Sequence, residues 1–154
     1  MNALASQPRL YSVPLNYQTD HRLQFLDLTD TVARHLEETG LEHGQALVFC
    51  RHTTAGVLIN EHEPLLLEDL ARTLDRLAAP GEGYRHDDLT VRTVNLVENE
   101  PANGHSHCQQ LAVGCSVLIP VLGGRLALGR WQRVFLVELD EARPREVVLQ
   151  FWGT

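Results

Sequence analysis

The sequence has no run of lysine or arginine. Its 13 basic residues are outnumbered by 20 acidic ones, for a formal net charge of −7. An acidic chain with scattered cations is repelled by a phosphodiester backbone, so a nucleic-acid partner is disfavoured. Cysteine is scarce: Cys50, Cys108 and Cys115 form no CxxC pair. An odd, unpatterned set argues against a disulfide framework and for a reducing, cytoplasmic compartment, with the thiols serving as small buried hydrophobes. No apolar stretch approaches the ~20 residues of a membrane span. The N-terminal stretch MNALASQPRLYSVPLNY lacks both the charged and the long apolar regions of a secretory signal. Internal repeats, low-complexity tracts and Pro/Gly/Ser linkers are also absent, so residues 1–154 read as one domain, with residues 1–8 expected to be loose.

What is present is an ordinary globular mixture of 44% hydrophobic and 21% charged residues, enough for a real core in 154 residues. Strands are expected at Leu10–Asn16, with Pro14 marking an edge, and at Arg22–Leu28. Thr29 is placed to cap a helix through Thr39, which Gly40 stops. Residues 45–52 and 56–60 are short apolar runs rich in strand formers. Leu66, Leu67, Leu70, Leu74 and Leu77 recur at helical spacing behind Pro64, predicting a helix with a leucine core stripe. Leu89–Leu96 alternates as a strand. Ser106 and Gln109 fit a capping box for a short helix from His107 to Val113. Four further strands follow, over 116–121, 125–128, 133–139 and 146–151, with a hairpin turn at Gly123-Gly124. About eight or nine strands and three helices, without regular βα alternation, predict an α+β fold with largely antiparallel or mixed sheets.

Eight histidines stand out, yet no HExxH is formed: His62-Glu63 is followed by Leu66 where a histidine would be needed. His52, where a strand meets Thr53-Thr54-Ala55-Gly56, suits a pocket rim or a satisfied structural role. His86 lies beside Asp87 and Asp88, carboxylates that can orient an imidazole or ligate a cation with it; a solvated charged loop fits the same residues. His107, at a helix start, is favoured as the neutral imidazole that binds metals, leaving His105 as a lesser candidate. Asn60-Glu61 fits ligand binding or helix capping. Trp131-Gln132, in a glycine-led turn, fits an aromatic wall with an amide handle or a packed core Trp. Three histidines without cysteine would suit a catalytic type of zinc site with one open position.

These segments together resemble one family. HTTAGVLINE at residues 52–61, Asp69, Tyr84, His86-Asp87, Ser106-His107, Gly114, Ser116, Ile119-Pro120, Gly124-Arg125, Leu128-Gly129, Trp131-Gln132, Glu138 and Arg143 follow the order and spacing of the YjbQ, or secondary thiamine-phosphate synthase, family. The resemblance runs from about residue 9 to the end. It implies a sandwich-like α+β subunit, a homotrimer, and a site near a subunit boundary with His52, His86 and His107 as metal ligands. His86 and Asp87 then form the catalytic pair, and Thr53, Asn60, Glu61, Trp131, Gln132 and Arg143 bind substrate. The implied cofactor is a divalent metal ion, zinc first, with magnesium or manganese admitted by Asp87. The implied activity joins a hydroxymethylpyrimidine diphosphate to a thiazole phosphate and releases pyrophosphate, as a secondary function. A trimeric metal- or ligand-binding module and a metal-dependent hydrolase are the alternatives. Two departures from the family pattern bear on the pocket: Arg130 replaces a small hydroxyl residue, and a longer segment before Ser106 adds His105.

Overall fold

A computed structural model describes residues 7–154; the expected loose N-terminus falls, for residues 1–6, outside the described residues. Strand β1 (Arg9–Gln18) turns Tyr11, Val13, Leu15 and Tyr17 toward the interior and Leu10, Ser12, Pro14 and Asn16 outward. It pairs only with β8 (Pro144–Gly153), so Pro14 sits on an edge where its missing N–H is not needed. With β3 (His43–Cys50), β5 (Ser116–Leu122) and β6 (Arg125–Leu126) these strands form a five-stranded sheet in the order β1-β8-β3-β5-β6. Gly123 and Gly124, at φ of 58° and 70°, make the expected tight β5–β6 turn.

The second sheet has three strands, β2 (Phe25–Asp27), β7 (Gln132–Glu138) and β4 (Ala55–Glu61), with β7 central. All pairings in both sheets are antiparallel. The strand expected over Arg22–Leu28 is shortened because Leu23 has a left-handed φ of 56°, which no strand accommodates. β7 is buried on both faces. Val134 and Leu136 join the main core between the sheets, while Phe135 and Val137 meet a second cluster that includes Leu74 and Leu139. That explains the uninterrupted apolar run VFLV.

Helix α1 (Thr29–Thr39) inserts Val32 and Leu36, one turn apart, into the main core and ends at Gly40 in the left-handed conformation. Thr29 is not its cap. Its hydroxyl accepts from the Val134 N–H, and the Asp27 carboxylate takes the Thr29 N–H instead. Helix α2 (Pro64–Leu77) is capped by the Glu63 carboxylate, which accepts from the N–H groups of Leu65 and Leu66. Only Leu74 of the leucine stripe is fully buried, and Leu77 is exposed. A single neighbouring layer covers one edge of the helix.

Two expectations fail between α2 and β5. Leu89–Leu96 is not a strand. Asn95 and Asn99 have positive φ, and the Arg92 guanidinium draws in the carbonyls of Val94 and Asn95, curling the segment into turns. Its alternating apolar residues Leu89, Val91, Val94 and Leu96 consequently face solvent. Helix α3 (Gly104–Val113) begins three residues earlier than expected, with Asn103 as N-cap residue and no capping box. Ser106, now inside the helix, donates its hydroxyl proton to the Leu139 carbonyl at 2.7 Å, tying α3 to the end of β7.

Candidate functional site

β3 ends, β4 begins, β7 ends and β8 begins at the same pole of the two sheets. The connections there, together with a 3-10 turn (Arg85–Asp87) and the start of α3, enclose a cavity of about 500 Å³. His52, His86 and His107 all line it. A larger cavity of about 710 Å³, between α1 and the β5–β6 turn, contains no histidine.

The floor of the site is a buried ion pair. Glu138 and Arg145 are 0% and 2% exposed and in direct contact. Arg145 also donates to the carbonyl and hydroxyl of Thr54, and Glu138 accepts from the Thr19 hydroxyl and the Asp140 N–H. No side-chain nitrogen or oxygen of the pair is buried without a partner, as a stable buried ion pair requires.

Above this floor, the rings of His86 and His107 meet edge to face with centroids 4.5 Å apart. Burial, and then the neighbouring His86, hold His107 toward the neutral form. His52 is likewise pushed toward neutrality, by burial and then by Arg145. Its Nε2 accepts the Glu146 N–H at 2.8 Å, so Nδ1 carries the proton of the neutral ring. Arg92 bridges the His86 carbonyl and Glu100, whose carboxyl it holds below the usual range. The Asp87 Oδ1 accepts the N–H groups of Asn103 and Gly104 at 3.0 and 2.8 Å and thereby seats the N-terminus of α3.

Of the remaining expected site residues, Thr53 and Arg143 line the cavity. Asn60, Glu61, Trp131 and Gln132 do not, because β4 and β7 run the length of the sheet between them and the pole. Glu61 pairs with Gln132 at one end and Ala55 with Glu138 at the other, a span of roughly 20 Å for seven residues. There the Gln132 side chain closes a turn by accepting the Gly129 N–H, and Arg130 stacks on an exposed Trp131 at 4.5 Å. His105 is buried outside the cavity, its Nε2 3.1 Å from the Ser106 hydroxyl.

Sequence reasoning missed Arg51, Arg92, Glu100, Asn103 and Arg145, which also line the cavity. The sole available signal was the polar stretch around Asn103; nothing local marks an arginine that reaches its partner across the fold. Among the described residues no three His, Cys, Asp or Glu side chains stand close enough to hold a metal ion as arranged. Three imidazoles on one cavity, two held toward neutrality, are suitable donors for a zinc-like ion; a three-histidine set would require His52 to give up the Glu146 N–H.

The sequence model of the family described as "UPF0047 protein YjbQ-like" matches residues 14–154. A UPF0047 protein of Archaeoglobus fulgidus is 37% identical over 136 residues, spanning 88% of this chain and 97% of the relative. The UPF0047 protein YugU of Bacillus subtilis is 33% identical, over 90% of this chain and 97% of its own length. Among solved structures, a YbjQ-like protein of unknown function from Sulfolobus solfataricus superposes with a TM-score of 0.83 at 30% identity, covering 96% of this chain and 100% of that one. A hypothetical protein of Aeropyrum pernix gives 0.82 at 38% identity, covering 94% and 99%.

Proposed function

The chain belongs to the YjbQ-like UPF0047 family, and from that premise we propose that its polar cavity is the active site of a metal-assisted transferase acting on a small phosphorylated heterocycle. The observation that carries this reading is the gathering of His52, His86 and His107 with Arg51, Arg92, Arg143 and Arg145 around one cavity. The named candidate reaction is thiamine-phosphate synthesis. The bond from the pyrimidine methylene carbon to the diphosphate oxygen breaks, pyrophosphate leaves with the electron pair, and the thiazole nitrogen forms the new C–N bond. Guanidinium groups suit the phosphate oxygens. Arg51 and Arg143 are the accessible ones, and each must loosen its hold on Glu146 or Asp140 to meet a ligand. A divalent cation held by His52, His86 and His107 would supply Lewis acidity toward a phosphoryl oxygen. In this reading His86 and Asp87 form the catalytic pair, and the Asp87 carboxylate also seats the start of α3.

A homotrimer is part of the same proposal. The outward face of the five-stranded sheet aligns exposed Leu10 with Trp152, and carries Phe49, Leu118 and Leu122 beside them, an apolar surface that suits a partner subunit. Free cysteines and the absence, among described residues, of a helix able to cross a membrane agree with a cytoplasmic setting. The acidic net charge again disfavours nucleic acid. A binding module with incidental catalysis is the second reading. It is favoured by the use of His52 Nε2 to hold the Glu146 N–H.

The test is to mix the two phosphorylated precursors with native protein and measure pyrophosphate, alongside elemental analysis of native protein and the His52→Ala, His86→Ala and His107→Ala variants. Pyrophosphate release, with stoichiometric metal lost in each folded variant, is expected. Tight precursor binding without pyrophosphate release would select the binding module.

A further inference from the structure

Cys50, the last residue of β3, and Cys115, the residue before β5, are cross-strand neighbours. The β3–β5 register pairs Ala46 with Ile119, Val48 with Val117 and Phe49 with Ser116, so its next step sets Cys50 opposite Cys115. The Cys50 N–H donates to the Cys115 carbonyl at 2.7 Å, as that step requires. Strand alternation turns both side chains to the face of Val48 and Ile119, which is the face of the main core. Residues directly opposed in this way have Cα atoms about 5.5 Å apart, inside the range that a disulfide spans. Both thiols are free; Cys50 is 1% exposed, whereas Cys115 is only half-buried.

The pair lies directly behind the stretch that brings His52 to the cavity. His52, Thr53 and Thr54 line that cavity, and Cys50 and Val57 bracket them. Both brackets are fastened to the α3–β5 junction: Cys50 by its bond to Cys115, and Val57 by its N–H to the Gly114 carbonyl at 3.1 Å. A Cβ on Gly56 would lie 2.2 Å from the Gly114 carbonyl oxygen, so the two backbones meet with no room for a side chain between them. A bond between the cysteines would make this hydrogen-bonded clamp covalent.

We propose that Cys50 and Cys115 are a redox-responsive dithiol, a modification site that a low-molecular-weight disulfide closes so as to clamp the stretch carrying His52. The Cys115 thiolate attacks one sulfur of the oxidant RS–SR, the S–S bond of the oxidant breaks, and RS⁻ leaves. The Cys50 sulfur then attacks Cys115 Sγ in the mixed disulfide, the Cys50–Cys115 bond forms, and the second RS⁻ leaves. The protons lost by the two cysteines end on two RSH; two cysteines are oxidised and one RS–SR is reduced. The second attack is between neighbours in the fold, so the burial of Cys50 does not obstruct it.

The test treats the native full chain with glutathione disulfide in the absence of denaturant, followed by peptide mapping without reductant and by amide exchange. The expected product is a cross-linked Cys50–Cys115 peptide that dithiothreitol releases. In the closed form, amide exchange at Cys50 and Val57 should slow by at least about tenfold, because a cross-link opposes local opening. Cys50→Ala should stop at a glutathione mixed disulfide on Cys115. A native chain that stays unmodified at both positions, or that stops at the mixed disulfide, overturns the inference, as does a cross-link formed only in denaturant. Unchanged exchange in the cross-linked chain overturns the clamp. Should Cys50→Ala not fold, the map of the native chain decides. None of these readouts depends on the activity proposed for the cavity.

Discussion

His86 and His107 lie edge to face at 4.5 Å, one carried by the 3-10 turn and the other by the first turns of α3. Two imidazoles this close cannot both be protonated cheaply, and burial already disfavours a charge on His107. His107 should therefore titrate below the ordinary histidine value of 6.5 in the ring-proton NMR spectrum. In His86→Ala its midpoint should move upward, because a like charge has been removed. A native midpoint at or above 6.5 would contradict the packed pair.

The same physics acts on three rings at once. His52, His105 and His107 are all shifted downward, each by burial first. Between those lowered values and 6.5 the unfolded chain binds more protons than the folded one. The histidine contribution is thus fully present above 6.5 and is lost as pH falls through the window below it. Urea melts should show stability declining from pH 7.5 to pH 5, with a shallower decline in a folded variant lacking His105. A stability that rises on acidification over this interval would mean that the rings are charged in the folded protein.

The ion pair of Glu138 and Arg145 sets the floor of the cavity, and its loss is expected to be asymmetric. Glu138→Ala leaves a guanidinium buried without its carboxylate and should cost about 3–5 kcal/mol in chemical denaturation. Replacing both, as Glu138→Leu with Arg145→Met, should recover much of that loss, because the uncompensated charge goes with its partner. A double variant as unstable as the single one would show that the hydrogen bonds to Thr19 and Thr54, not the charges, hold this pole together.

Part of this fold and of its site is legible in the chain, and part is hidden in it. Local signals sufficed for α1, whose stop is a left-handed Gly40, and for the Gly123-Gly124 turn, because backbone conformation there depends on the residue itself. The family order of HTTAGVLINE, His86-Asp87 and Ser106-His107 pointed to the three histidines that the fold places on one cavity. Alternation misled at Leu89–Leu96, since an alternating run needs a free strand edge, and here Arg92 and two left-handed asparagines fold it away from one. Arg145 was illegible, and Asn103 showed only as part of a polar stretch, for another reason. Their partners, Glu138, Thr54 and Asp140, lie on other strands and connections, and only the closed fold brings them together.

One glycine connects packing to the site. A Cβ on Gly104 would lie 2.4 Å from Tyr84 Cβ and 2.7 Å from its Cγ. Tyr84 is anchored by its hydroxyl to the Ala79 carbonyl at 2.8 Å and leads directly into the turn that carries His86. The clash involves atoms next to the backbone, so a rotamer change does not relieve it. Overpacking of this kind costs about 1–3 kcal/mol, which should outweigh the helix preference of alanine over glycine of about 1 kcal/mol. Gly104→Ala should accordingly be less stable than the native chain and should push the turn away from α3, loosening His86 from His107. The readout that distinguishes this from simple destabilisation is the His107 ring-proton titration under fully native conditions. Its midpoint should rise toward that of His86→Ala. An unchanged midpoint in a folded Gly104→Ala variant would mean that the 3-10 turn and α3 shift together and that the histidine contact does not depend on this close approach.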